Sequence, residues 1–179
     1  MAKMAPSTRV KSLTRQEEAA WRALNRAILV IPRVLDKDLL EAQGLNLTEY
    51  SVLLHLSEAP DRSLRMGDLA NYESITSGGL TRVVDRLSRQ GLVERVRDES
   101  DGRGQMAVLT DAGFQRLERA WPTHLASVRR HVMDHLSDLD LAGFAKAMAA
   151  VGDKDLGPPT RRAPQPVSGA VNTLGTIRC

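Results

Sequence analysis

From Thr76 to Arg97 the chain places Ser77, Gly78, Gly79, Thr81 and Arg82 close together and follows them with Arg86, Arg89, Arg95 and Arg97. Five arginines stand against Asp85 and Glu94 there, a local charge of +3. Small residues at the head of a helix let its first turn come close to a polyanion, and the free backbone N–H groups at that end face phosphate. Thr81 and Arg82, one turn in, would reach base edges, where a guanidinium makes a bidentate contact to guanine. Arg86 is better placed for the phosphate backbone, and Ser77, Gly78 and Arg97 complete the candidate surface. An ordinary solvated helix face followed by a charged hairpin would use the same residue types, so these residues alone leave both readings open.

Other chemistry is poorly supplied. His131-Val132-Met133-Asp134-His135 sets two imidazoles on one helix face at the spacing of zinc peptidases, but Val132 stands where their general-base glutamate belongs. Catalysis is not expected there; a regulatory metal site using both histidines and a carboxylate, or two exposed helix histidines, remain alternatives. No phosphate-binding glycine loop, nucleophile elbow or cysteine cluster occurs. The chain therefore reads as a non-enzyme, and neither a metal nor another cofactor is assigned.

These residues need elements to hold them. Thr14 and Glu17 form a capping-box pair ahead of Trp21, Leu24, Ile28, Ile31, Leu35 and Leu39, the stripe of a long amphipathic helix that Pro32 should bend and Gly44 should stop. Thr48 is expected to cap a second helix ending near Ser57. An extended stretch around Leu64 and a two-turn helix from Met66 to about Tyr72 follow. In the next run Leu80, Val83, Val84 and Leu87 mark an apolar face, and Gly91 supplies a left-handed stop. The arginines occupy the opposite face. Leu92–Arg97 and Gln105–Leu109 read as a two-stranded hairpin joined by the turn-rich segment Asp98–Gly104. Thr110 caps another long helix, with Phe114, Leu117, Trp121, Leu125, Val128, Val132 and Leu136 at helical spacing and a bend at Pro122. Ser137 with Asp140 should open a last helix, stopped by Gly152.

Two short helices, a tight turn and a hairpin are the order of a winged helix-turn-helix, whose second helix enters the major groove. Asp101-Gly102-Arg103, five residues, then Leu109-Thr110-Asp111-Ala112-Gly113 resembles the wing signature of the MarR family, the multiple antibiotic resistance regulators. The helical order on both sides is similar over about residues 14–151. The resemblance implies a mostly α fold with a small β-hairpin wing, assembled as a homodimer on a palindromic double-stranded DNA operator, and a repressor released by a small aromatic ligand. It also places Arg103 in the minor groove with Asp101 steadying it. For the ligand cleft it suggests Trp21 and His55, although a core or interface role suits either. Gly78-Gly79 is slighter than the polar pair often found at this point of the family's helix, which implies looser base reading there. The alternative function is a winged-helix module that binds another protein and not DNA.

The resulting division is a flexible N-terminal arm at 1–13, a helical dimerisation region at 14–45 and 110–152, a winged helix-turn-helix lobe at 46–109, and a disordered tail at 153–179. The tail is rich in proline, with apolar residues that follow no period. Composition bears on partners as well. The 179 residues carry a net charge of +3, but residues 16–157 hold 18 basic and 22 acidic side chains, so the excess sits in the two ends. Overall charge is thus no argument for nucleic acid. Aromatics are only 3%, which leaves the core to aliphatic side chains. The single cysteine, Cys179, cannot close an intrachain disulfide, and no run is long and apolar enough for a signal peptide or a bilayer span. A cytoplasmic protein without membrane contact is expected.

Overall fold

A computed structural model of the chain describes residues 10–97 and 104–151. Asp101 and Arg103, most of the segment joining the hairpin strands, Gly152 and the whole tail lie outside the described residues. Of the proposed arm, residues 10–13 are described and are exposed.

The elements run α1 (Arg15–Gln43), α2 (Leu47–Glu58), a short 3-10 turn (Pro60–Arg62), β1 (Ser63–Arg65), α3 (Met66–Glu73), α4 (Ser77–Arg89), β2 (Val93–Arg97), β3 (Gln105–Leu109), α5 (Asp111–His131), a second 3-10 turn (Met133–His135) and α6 (Leu141–Ala149). Helix starts follow local polar chemistry. Thr14 and Glu17 close the expected capping box, and Gly44 ends α1 at φ 63°. α1 continues through Pro32 and α5 through Pro122 without interruption.

Two expected caps shift. α2 is capped by Asn46, not Thr48: the Asn46 side chain accepts from Glu49 N at 2.8 Å while Glu49 Oε2 accepts from Asn46 N at 3.1 Å. That reciprocal pair satisfies two backbone donors, which Thr48 inside the helix cannot do. Likewise Asp140, not Ser137, caps α6 by accepting from Gly143 N at 3.1 Å. α5 is shorter than its apolar stripe, since Val132 leaves helical geometry at φ −132°, ψ −66°. His131 therefore ends α5 while His135 lies in the following turn, and the two do not share a helix face.

The hairpin also gains a strand. β1 pairs antiparallel with β3, Leu64 opposite Ala107, so the sheet has order β1-β3-β2. Behind it, Leu39, Leu53, Leu56, Leu69, Leu80, Val84, Leu87, Val93 and Leu117 build one aliphatic core. The four apolar positions read on α4 are all buried there.

α5 is joined to the C-terminal end of α1 by polar contacts. Asp38 accepts hydrogen bonds from Ser127 Oγ, from Arg130 Nη2 at 2.6 Å and from His131 Nε2 at 3.0 Å. The Ser127 bond, with those from Arg130 and His131, holds the Asp38 carboxyl below its ordinary range. Further along, Gln43 Nε2 donates to Thr123 Oγ1 at 2.8 Å and Arg116 donates to the Gln43 carbonyl. The N-terminal half of α1 and all of α6 lack such cover: Trp21, Ile28, Leu29, Leu141 and Phe144 are each more than 40% exposed.

Candidate nucleic-acid interface

α4 is presented by a turn and locked by its C-terminus. Ser74, left-handed at φ 53°, ends α3, and Thr76 then caps α4 by accepting from Gly79 N at 3.1 Å. At the far end Gly91, φ 71°, lets its N–H reach Ser88 O and the Leu92 N–H reach Leu87 O, a Schellman closure that turns the chain into β2.

The described half of the wing signature, Leu109 to Gly113, packs into this closure. Thr110 Oγ1 accepts from Gly113 N at 3.0 Å and donates to Gly91 O at 2.7 Å, tying the head of α5 to the end of α4. A Cβ on Gly113 would sit 2.1 Å from Leu92 O, so only glycine lets α5 pack against that backbone. Leu109 is buried beneath.

On the outward side of α4, Ser77, Gly78 and Arg82 are exposed. A Cβ at Gly78 would meet nothing within 4 Å, so neither packing nor backbone angle within the chain calls for glycine there. Arg82 has no ion-pair partner among the described residues. Thr81 is half-buried and its hydroxyl donates to Ser77 O at 2.9 Å, which leaves the oxygen able to accept.

The other arginines are more committed than the sequence suggests. Arg86 Nε lies 2.9 Å from Glu49 Oε1, whose side chain is only 7% exposed. Arg95 Nη1 reaches Asp85 Oδ1 at 2.5 Å, bracing β2 against α4, and within α4 Arg89 Nε donates to Asp85 O at 3.2 Å. Arg97, at the end of β2, is exposed. Sequence reasoning missed Glu49, though its place three residues after Asn46 was available as a capping-box signal.

A cavity of about 340 Å³ opens between α2, the end of α3 and α5, lined by Leu47, Thr48, Tyr50, Ser51, Leu54, Glu73 and His124. His124 is 9% exposed, stacks on Tyr50 at 4.5 Å between ring centroids, and finds no hydrogen-bond partner for Nδ1 among the described residues. Burial lowers its pKa below the ordinary imidazole range. Neither residue suggested for a ligand cleft lines this cavity. Trp21 is 55% exposed on α1, and His55 Nε2 lies 3.4 Å from Glu73 Oε1 with its ring stacked on Tyr72. His124 was legible only as the next turn of the Leu117 and Trp121 stripe.

A helix-turn-helix backed by a three-stranded antiparallel sheet, with long helices before and after it, defines a winged-helix protein. Residues 43–104 match the family model described as MarR family. The chain is 35% identical to Sco3205 of Streptomyces coelicolor, a MarR family transcriptional regulator solved in complex with DNA. That match covers 88% of this chain and 98% of Sco3205, with a TM-score of 0.76. It is 32% identical to the HTH-type transcriptional regulator YkoM of Bacillus subtilis over 66% of this chain and 79% of YkoM. With the HTH-type transcriptional repressor YetL of the same organism identity is 31% over 59% of this chain, and the match spans 63% of YetL. The chain belongs to the MarR family of transcriptional regulators, and it is not an enzyme. Among the described residues no helix is long and apolar enough to cross a membrane.

Proposed function

We propose that the protein is a homodimeric, sequence-specific double-stranded DNA-binding transcriptional regulator, a repressor released by a small ligand. The observation that carries the DNA reading is the outer face of α4, where an exposed Arg82 follows a glycine; among the described residues Arg82 has no ion-pair partner and packing does not require the glycine. A backbone stripped of side chain is what a helix needs where it meets the floor of a groove. Sco3205, 35% identical over 98% of its length and solved with DNA, supports the same use of this lobe. Ser77, Gly78, Thr81 and Arg82 would meet base edges and nearby phosphates. Arg86 and Arg97 would lie along the backbone, and Arg103, steadied by Asp101, would enter the minor groove.

Residues 46–109 would then form the DNA lobe and 14–45 with 110–152 the dimerisation region. The apolar side chains left exposed on the first half of α1 and on α6 support this division, because a lone chain leaves them in water. The repressor assignment leans on YetL, whose name carries it, and ligand release on the cavity beside His124. Selecting fragments of the source genome that the protein retains, then titrating them by fluorescence anisotropy, tests the reading. Sequence-selective, salt-sensitive binding is expected; equal affinity for unrelated fragments would overturn it.

A further inference from the structure

We propose that Glu49 is a positioning residue for DNA binding: it holds the Arg86 side chain in one pose on the outer face of α4, ready for a phosphate of the duplex. This rests on the reading above that α4 meets DNA, and it assigns a role to the buried carboxylate behind that face. Arg86 follows Arg82 by one turn on the exposed side of the helix. An arginine without a partner gives up rotamer freedom when it meets a phosphate, and that loss weakens the contact. A fixed carboxylate beside it takes the loss in advance.

Glu49 is fixed from two sides. Asn46 and Glu49 cap each other, and in the same turn Leu47 N donates to Asp36 Oδ1 of α1 at 2.7 Å. Glu49 Oε2 serves the cap, while Oε1 lies 2.9 Å from Arg86 Nε. The cap asks for no charge, because glutamine serves it as well, whereas a buried carboxylate is costly unless a cation compensates it. Arg116 of α5 also feels the Glu49 charge, but its guanidinium donates to the carbonyl and side-chain oxygens of Gln43. Arg86 is the cation in ion-pair contact. Beyond Glu49, Arg86 has no further ion pair and no side-chain hydrogen bond among the described residues, and about half of its side chain is exposed. A guanidinium carries five N–H donors in a rigid fork, so its Nε edge can rest on Glu49 while its Nη groups take a phosphate. The ammonium of a lysine is one point charge and cannot be divided in this way.

The test is fluorescence anisotropy of the full chain on a duplex of mixed sequence about three helical turns long, because a phosphate contact does not depend on sequence. By charge count alone, Glu49→Gln removes an anion near the duplex and should tighten binding. Positioning gives the opposite sign: affinity should fall by about threefold to tenfold. In Arg86→Ala protein the same substitution should change affinity by less than about twofold, since the residue it acts through is gone. Arg86→Lys keeps the charge and leaves Glu49 in place, yet it should recover only a minor part of the affinity that Arg86→Ala loses. Unchanged or tighter binding by Glu49→Gln, an equal loss with and without Arg86, or full rescue by lysine would each overturn the proposal. An equal loss in both backgrounds is what a merely structural role of Glu49 would give. If Glu49→Gln fails to fold by circular dichroism, the comparison of Arg86→Lys with Arg86→Ala decides alone. Wild-type protein that binds no duplex would refute the DNA reading and the positioning role together; wild-type binding that Glu49→Gln leaves unchanged would refute the positioning role only.

Discussion

Arg82 and Arg86 are one helical turn apart on α4 and have the same charge, yet their surroundings give them different work. Arg82 is exposed and has no ion-pair partner among the described residues, so Arg82→Ala should leave unfolding by urea within about 0.5 kcal/mol of wild type. The same change should weaken the correct operator by about 1–3 kcal/mol and flatten preference at one base pair. Arg86→Ala removes the partner of a carboxylate that is 7% exposed, so it should cost stability. Because Arg86 itself is 46% exposed and water screens it, the loss should be about 1–3 kcal/mol, short of a fully buried pair. It should also weaken all DNA sequences alike, with a salt slope lower by about one unit. Urea melts and anisotropy at two salt concentrations check both; a stable Arg86→Ala protein would show that Glu49 does not depend on it. The basic face of α4 was legible from spacing alone, but Glu49 and Asp85 were not, because nothing in a pattern of charges tells which arginines are spent on the chain's own carboxylates.

At the scale of elements, helix starts were legible wherever one cap residue had no rival. Thr14 and Thr110 each accept from the backbone N–H three residues on. Asn46 competed with Thr48, and Asp140 with Ser137; the winners are those whose side chains reach an otherwise unpaired donor. β1 is three residues long and rests on pairing with β3, a long-range fact that its own pattern cannot carry. Gly113 makes a sharper case. Gly113→Ala would drive a Cβ into Leu92 O and Leu109 Cδ1, which should cost about 2 kcal/mol or more and disturb the joint between α4, β2 and α5. Chemical denaturation checks it; a change near zero would mean that α5 slides freely on the sheet. The α1–α5 joint has a pH signature. Asp38 has a folded pKa below its unfolded value near about 3.9, so its contribution is complete above that value and is lost as pH falls through the folded pKa. Asp38→Asn should therefore lower Tm at neutral pH, with a deficit that shrinks below about pH 4. Thermal melts across that range are the measurement, and a deficit independent of pH would put the effect down to packing.

The whole molecule, taken as one chain, leaves two surfaces unfinished. Core packing engages α1 only from about Leu35 onward, and Ile28 at 58% and Leu29 at 57% stand in water ahead of it. On α6, Phe144 at 41% and Met148 at 36% are exposed as well, and no residue of that helix is buried. The sequence displayed these stripes but could not say whether they closed on each other within the chain, since amphipathic periodicity marks a face and not its cover. A two-fold partner would cover both and would space two copies of α4 about one helical turn of DNA apart, on a palindrome. Light scattering at micromolar concentration should give twice the chain mass of 19.7 kDa. Ile28→Asp combined with Phe144→Asp should halve that mass, because two carboxylates would have to be buried in an apolar contact. The core around Leu53, Leu80 and Val84 is distant from both changes, so far-UV circular dichroism should keep its helical signal. Operator affinity should drop by more than the loss of one contact explains, since each monomer reaches only one half-site and the second engagement is no longer intramolecular. A monomeric wild type, or a double variant that stays dimeric with full affinity, would place the interface elsewhere.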